Sequence, residues 1–446
     1  MPLCLGGNIN TLVKFKNIIQ NLGANLLVIL LGLVGSIILA RWLGPSQRGV
    51  FAAIILIPNI IQFSVNFGLS SATIYFTAQP NSDKNTIWSN LIFIGFIQSI
   101  IGLTIGYFII IFFLQKHGLE IVNLGHLYLW TIPMGLFGMY ATYILQGASH
   151  FKIVNFLKCI VPIGYCTGIT LFRFEQKLTI EILVYLQLFI QFFYLIIATF
   201  FLHKILLNQF LFKVKFKFIR QMLRYSFKVW FGDISQLANS RIDQFLIGAI
   251  LGSRDLGIYT VAISVSGFTG VFADAVKTIM MPSVTRKESF DEKVNETLNF
   301  FKKYWIFSIF FHIILTCSLP ILIPFVFGNA YSELVIICQI LVIGSFFINA
   351  KTVLGGGFLG MGFPEIMSYV EIIGMFISLI FSIFLIKIYG LIGVPVAISL
   401  SYLSQFLGLI FLSDKKGISC KKLLYISGNE FQENINWVKN AKQYFR

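Results

Sequence analysis

Apolar runs about twenty residues long recur along the whole chain, separated by short polar turns. A membrane-spanning helix needs about 20 mainly apolar residues. On that criterion the pattern predicts about twelve spans, near 18–41, 49–77, 86–114, 121–147, 153–173, 180–203, 222–251, 256–282, 303–328, 331–357, 366–388 and 391–413. Gly44-Pro45 and the polar run Pro80-Asn81-Ser82-Asp83-Lys84 mark edges. Pro320 and Pro324 fall inside the ninth span, and Pro133 and Pro162 interrupt the fourth and fifth. These are expected kinks, since neighbouring helices can re-satisfy the freed backbone groups. Gly355-Gly356-Gly357 reads as a break at a helix end rather than a phosphate cradle.

One short string occurs twice. Leu43-Gly44-Pro45-Ser46-Gln47-Arg48-Gly49-Val50-Phe51 returns 208 residues later as Leu251-Gly252-Ser253-Arg254-Asp255-Leu256-Gly257-Ile258-Tyr259. Each copy joins the first two spans of a six-span set. An even number of spans separates them, so the two sets have the same topology. The predicted fold is an all-α polytopic membrane protein with two six-helix halves related by a pseudo-twofold axis along the membrane normal. The division is 1–203, an inter-half loop 204–221, 222–413, and a tail 414–446. A weaker echo pairs Gln146-Gly147-Ala148-Ser149-His150 with Leu359-Gly360-Met361-Gly362-Phe363.

Composition agrees with this reading. The chain is 57% apolar and only 12% charged, with a mean hydropathy of +0.83. A soluble chain carries about 25% charged residues. The net charge of +16 raises the question of nucleic acid. The basic residues lie in short loops beside the spans, which is the positive-inside pattern, and no nucleic-acid partner is expected. Twenty-three Lys and Arg fall on the side of the termini and about seven on the other, so both termini are expected to be cytoplasmic. Lys14 and Lys16 precede a run too long for a signal-peptide core, which is read as the first span. Lys213-Val214-Lys215-Phe216-Lys217-Phe218 suits an interfacial segment on anionic headgroups. Phe431, Ile435, Val438, Ala441 and Phe445 mark a short amphipathic helix on the cytoplasmic face. None of the six cysteines forms a CxxC or has a metal-ligand partner, so no metal site is expected.

Polar residues inside the spans carry the functional signal, because a charge at mid-bilayer depth costs a few kcal/mol. Span seven holds Asp233, Gln236, Asn239, Ser240, Asp243 and Gln244 on one face, with Arg241 on its flank. Span one has Asn17, Asn21 and Asn25, followed by Gly32 and Gly35. Span two has Asn59, Gln62, Asn66, Ser70 and Thr73. Span eight has Asp274 and Lys277, spaced to pair on one face. Spans one, two, seven and eight therefore predict a wet cavity lined by Asn21, Asn25, Asn59, Gln62, Asn66, Asp233, Gln236, Ser240, Arg241, Asp243, Asp274 and Lys277. Each Asn or Gln alone also fits a bond between helices. His312 reads as a packed histidine, and Lys351 as a residue that can snorkel. Glu365 and Glu371 are placed at the cytoplasmic interface. Walker A, GxSxG, HExxH and kinase signatures are absent, so no enzyme is expected.

Ala40-Arg41-Trp42-Leu43-Gly44-Pro45, with Gly49-Val50-Phe51 opening the second span, resembles the polysaccharide transporter family. That family holds bacterial O-antigen and capsule-repeat flippases within the multidrug/oligosaccharidyl-lipid/polysaccharide exporter superfamily. Gly390-Leu391-Ile392-Gly393-Val394-Pro395-Val396-Ala397 is also similar to the family's pattern, with Pro395 as a departure. The resemblance covers about residues 10–413. It implies a flippase of the bacterial cytoplasmic membrane. The cargo is a polyprenyl-pyrophosphate-linked oligosaccharide, moved from the inner to the outer leaflet by alternating access. Arg241, Lys277, Arg41 and Lys351 are the candidates for attracting the pyrophosphate. No cofactor is expected. Proton or sodium coupling through Asp233, Asp243 or Asp274 stays open beside downhill exchange. Membrane lipids and other polysaccharide-assembly proteins are the candidate partners. The alternatives are a multidrug exporter of the same superfamily and a pathway polymerase or ligase. The last would need a long outward loop that this chain lacks.

Overall fold

The computed structural model describes the backbone of residues 6–79, 82–175, 178–206, 212–328 and 331–415. Side chains are described from Gly23 onward, except at a few helical positions that include Lys228, Asp233 and Gln236. The tail positions 431–445 lie outside these residues. The described chain is helical with no strand: α1 (Gly6–Val65), α2 (Leu69–Ala78), α3 (Lys84–Leu114), α4 (Leu119–Tyr128), α5 (Thr131–Gly147), α6 (Phe151–Phe174), α7 (Ile180–Leu206), α8 (Phe216–Ile250), α9 (Ser253–Gly267), α10 (Gly270–Thr285), α11 (Phe290–Phe327), α12 (Leu334–Met361), α13 (Pro364–Tyr389) and α14 (Gly393–Lys415).

Among the described residues, seven helical stretches are long and apolar enough to cross a membrane, or eight when the interrupted pair α9–α10 is included. Two of the seven are double. Gly23–Val65 spans 43 residues and Glu365–Asp414 spans 50, each about twice the length one crossing requires. The interrupted pair α4–α5 and the polar α8 bring the crossings to the twelve read from the pattern.

Both repeated strings form the same turn. Gly44 has φ 68° and Gly252 has φ 107°, a region that side chains on Cβ rarely allow. The second glycine of each string serves close approach instead. A methyl at Gly49 would overlap the Ser253 carbonyl oxygen, and one at Gly257 would overlap that of Pro45. Residue i of one copy meets residue j of the other, and j meets i, as a twofold relation requires.

Among the described residues three spans are broken; hydropathy shows none of these breaks, and only Pro133 in the fourth span announces one. The predicted second span, 49–77, stops at Val65 and restarts at Leu69, with Phe67 and Gly68 at positive φ. α8 fills this break. Trp230 Nε1 donates to the Ser64 carbonyl (3.1 Å), Phe67 packs on Trp230 (5.2 Å), and a methyl at Gly68 would overlap the Ser226 carbonyl oxygen. A carbonyl freed by the helix end thus has a donor inside the protein, as hydrocarbon surroundings demand. The fourth span breaks at Leu129–Trp130, two residues before the turn that takes in Pro133, and the eighth at Phe268–Thr269.

Two sequence expectations change. Gly355-Gly356-Gly357 lies inside α12 and does not end it. Each glycine admits a different neighbour: Met367 of α13, the Lys277 stem of α10, and Thr297 of α11. In the inter-half segment, Phe216 to Phe218 open α8 rather than lying in a loop. Before them, the Lys213 N–H donates to Ser89 Oγ (3.0 Å) and the Lys215 N–H to Asn90 Oδ1 (2.9 Å) on α3.

Asp83 caps α3. Its carboxylate accepts from the Thr86 N–H (3.1 Å) and hydroxyl (2.5 Å), and Lys215 Nζ is 3.6 Å away. The Thr86 hydroxyl bond chiefly holds its pKa below the ordinary 3.8, against a partial desolvation penalty. A depressed carboxylate stabilises the fold above its unfolded pKa, and that contribution fades as pH falls through the folded value. Asp83→Ala is expected to cost about 1 kcal/mol. The melting gap from wild type in detergent should hold from about pH 7 to 5 and narrow below pH 3.8. A gap unchanged at about pH 3 would remove charge from the account.

The chain forms two compact units. Unit 1 comprises residues 1–268 and 323–334, and unit 2 comprises 269–322 and 335–446. Unit 1 thus gathers the first six spans with α8 and α9. Unit 2 has its own core, in which Phe301, Tyr304, Val353, Phe358, Val370 and Phe406 are buried.

Candidate functional site

Unit 1 contains two adjoining pockets that share Asn59 and Arg241. The first, about 270 Å³, is walled by both limbs of α1, by α6 and α7, and by α8 and α9. Its polar lining is Ser36, Arg48, Asn59, Tyr165, Gln187, Arg241, Gln244, Thr260 and Ser264. The second, about 390 Å³, is lined by Asn59, Gln62, Phe63, Met139, Leu237, Ser240 and Arg241. Small residues make the room: Gly32 and Gly35 face the first pocket, and Pro162 puts a kink-prone turn of α6 on its wall.

Two guanidinium groups dominate the electrostatics. Arg48 is only 9% exposed. Its Nη2 donates to Ser36 Oγ (3.1 Å), across the Gly44 turn, while its Nε is buried with no partner. A buried guanidinium with an unused donor is costly until an acceptor arrives. Arg241 is exposed to both pockets and donates from Nη1 to Gln244 Oε1 (3.3 Å). Gln62 Nε2 points at the Met139 sulfur (3.1 Å), a weak acceptor, so its amide has capacity to spare. The surface therefore offers planar cationic donors next to amides and hydroxyls. Such a surface suits an anionic group joined to a hydroxyl-rich one.

Of the residues picked from the sequence, Asn59, Gln62, Ser240 and Arg241 come together here. Asn25 is exposed on α1, outside both linings. Asn21, Asp233 and Gln236 sit on α1 and α8 with side chains outside the described set. Asn66 serves the break in the second span, its Oδ1 accepting from Ser70 N–H (3.3 Å) and Oγ (3.0 Å). Asp243 is 4% exposed and accepts from the Tyr259 hydroxyl (2.6 Å) and the Gln244 N–H (2.7 Å), joining α8 to α9. Arg41 donates from Nε to the Val326 carbonyl (2.5 Å) and from Nη2 to that of Phe325, at the C-terminal end of α11 where unpaired carbonyls attract cations.

The remaining three lie in unit 2. Lys351 is 3% exposed and ion-paired with Glu371, whose side chain is 26% exposed. Lys277 is among the charges acting on Lys351, and Asp274 lies one turn before it on α10. His312 is packed, its Nδ1 against the Ser308 carbonyl (2.8 Å).

Sequence reading missed Arg48, Tyr165 and Gln187. Charge counting places Arg48 in water on the side away from the termini, because it sits four residues past Gly44. Its distance of twelve residues from Ser36, with the turn between, is the signal that the two face one another. Tyr165 and Gln187 lie singly in apolar spans and leave no pattern.

A family model described as "Polysaccharide biosynthesis protein" matches residues 38–336. The chain is 31% identical over 176 residues to the capsular polysaccharide biosynthesis protein CapF of Staphylococcus aureus, covering 39% of this chain and 43% of that one. It is 27% identical over 189 residues to the uncharacterized membrane protein MJ1375 of Methanocaldococcus jannaschii, covering 42% and 44%. The chain spans less than half the length of these two relatives. A solved structure of the lipid II flippase MurJ, in an inward closed conformation, superposes with a TM-score of 0.73 at 15% identity, covering 95% of this chain and 99% of that one. An inward-facing multidrug resistance transporter of the MATE family and MOP superfamily gives 0.67 at 14% identity, covering 89% and 96%. At such identities the likeness is one of fold.

Proposed function

We propose, from the premise that this chain belongs to the polysaccharide biosynthesis protein family, that it is a flippase for a polyprenyl-pyrophosphate-linked oligosaccharide. The cargo is an O-antigen or capsule repeat unit, moved from the inner to the outer leaflet of the bacterial cytoplasmic membrane. The observation that carries this reading is the unit 1 cavity, where Arg48 and Arg241 sit among Asn59, Gln62, Ser240 and Gln244. The guanidinium forks take the pyrophosphate oxygens in pairs. The amides and hydroxyls replace water around the sugars, so the headgroup crosses without leaving its hydrogen bonds unmade. The lipid tail stays out of this cavity, on the bilayer side of a lateral opening. The two sequence halves rock to open the cavity to each leaflet in turn, as repeat-built transporters do. CapF carries polysaccharide biosynthesis in its name, and MurJ is named a lipid II flippase; both names fit this class of cargo.

A second reading is small-molecule export, favoured by the MATE-like fold. The cavity argues against cationic drugs, which two arginines would repel. The deciding experiment reconstitutes the full chain into vesicles that carry a fluorescent lipid-linked oligosaccharide in both leaflets. A membrane-impermeant quencher should extinguish nearly all the signal when the protein is present and about half when it is absent. Rhodamine or ethidium accumulation by the same vesicles, without lipid movement, would favour the export reading.

A further inference from the structure

α10 and α11, both in unit 2, are pinned together at two levels and apart in between. At one end Ser283 Oγ donates to Glu296 Oε1 (2.6 Å), and Lys287 Nζ is 3.9 Å from the same carboxylate. At the other, Phe272 packs edge-on against Phe307 (5.2 Å) and Phe311 (5.0 Å). Between these clasps lies a groove of about 400 Å³. α10 lines it with Ala275, Val276 and Ile279, which are too small to reach across. α11 lines it with Phe300 and Tyr304. The groove is almost wholly apolar, yet two polar residues stand on its wall: Asn299, one turn from Glu296 of the clasp, and Lys303 at mid-length, level with Val276. From Phe272 to Ile279 it runs roughly 10 Å at helical rise.

The charge bias of the sequence assigns that clasp to the cytoplasmic side. The Lys303 stem leans toward the N-terminal end of its helix, so its ammonium can snorkel about one turn toward that side, to the depth of the inner-leaflet phosphates, with the apolar slot beyond it. A slot bounded by two helices and closed at its deep end by a phenylalanine pair takes one hydrocarbon chain. An ordinary phospholipid would leave its second tail outside. An isoprenoid carrier has a single chain for each phosphate, and its methyl branches suit the aromatic wall.

We propose that the α10–α11 groove binds the isoprenoid chain of a polyprenyl phosphate or pyrophosphate from the cytoplasmic leaflet, with Lys303 holding the phosphate. The choice of lipid rests on the flippase reading above; the groove and its cation do not. Val276→Trp and Ala275→Leu fill the slot, and Lys303→Gln removes the charge.

Purified full-length protein in detergent is loaded with undecaprenyl phosphate, phosphatidylglycerol or phosphatidylethanolamine, and the lipid retained after washing is read by native mass spectrometry. Wild type should retain undecaprenyl phosphate about tenfold over either phospholipid. Both filling variants should lose about tenfold, the equivalent of roughly two buried methylenes. Lys303→Gln should lower retention of undecaprenyl phosphate more than that of undecaprenol. Where Val276→Trp fails to accumulate or loses its melting transition, Ala275→Leu decides. Unchanged retention in a folded filling variant overturns the proposal, as does phosphatidylglycerol competing equally. The same preparations in vesicles separate the two readings. Failure of wild type to move lipid-linked oligosaccharide sinks the flippase reading, while groove-dependent retention of undecaprenyl phosphate still stands or falls alone.

Discussion

Replacing Arg241 with Ala should cut translocation of lipid-linked oligosaccharide by about 10- to 100-fold while leaving the protein's level and melting temperature near wild type. The range follows from one or two charge-assisted hydrogen bonds worth about 1.5–3 kcal/mol each. Arg241 is exposed to both pockets, and its described hydrogen bond is a long one to Gln244, so the fold loses little. Arg48→Ala should cost as much in transport and more in stability, because Ser36 then loses its donor and a void opens beside it. Arg48→Lys keeps the charge but not the planar fork, and should recover only part of the rate. If both guanidinium groups act on one pyrophosphate, the double variant will fall short of the product of the singles. Wild-type flipping by Arg241→Ala in vesicles would remove Arg241 from the transport path.

The largest effect on folding is expected at the paired glycines. Gly49→Val and Gly257→Val each drive a side chain into a backbone carbonyl of the other copy, Ser253 for the first and Pro45 for the second. Backbone cannot rotate away as a flexible side chain would, so both helices must separate. That should cost about 3 kcal/mol or more, a large share of a membrane protein's margin. Membrane levels should drop several-fold, with early melting of what remains. Gly23→Ala is the control. Nothing lies within 4 Å of a Cβ at that position, and it should accumulate like wild type. Gly257→Val with wild-type level and melting would contradict the reciprocal contact.

The number of spans, the shared topology of the halves and the Gly44 and Gly252 turns were legible in the sequence because each leaves a local mark. Length and hydropathy mark a span, and a conserved spacing within one chain marks a duplicate. The break at Phe67–Gly68 left only a lone glycine, since Trp230 and Ser226, which make the break tolerable, come from a helix far along the chain. Helical periodicity tells which face a residue takes but not what meets it there. Asn59 and Asp243 look alike on that measure. One faces a pocket, and the other is consumed by Tyr259. Arg48 was hidden for the opposite reason. Charge counting places a basic residue beside a turn in water, and only the fold of α1 back past Gly44 brings it to Ser36.

The reciprocal glycine contact also has a consequence for biogenesis. Gly49 leaves the ribosome 208 residues before Gly257. At about 5–20 residues per second, the first turn waits roughly 10–40 s for its mate. Through that interval the flat glycine surface of α1 has no protein against it. Lipid, or the insertion machinery, must cover a face that only the seventh and eighth spans can finally close.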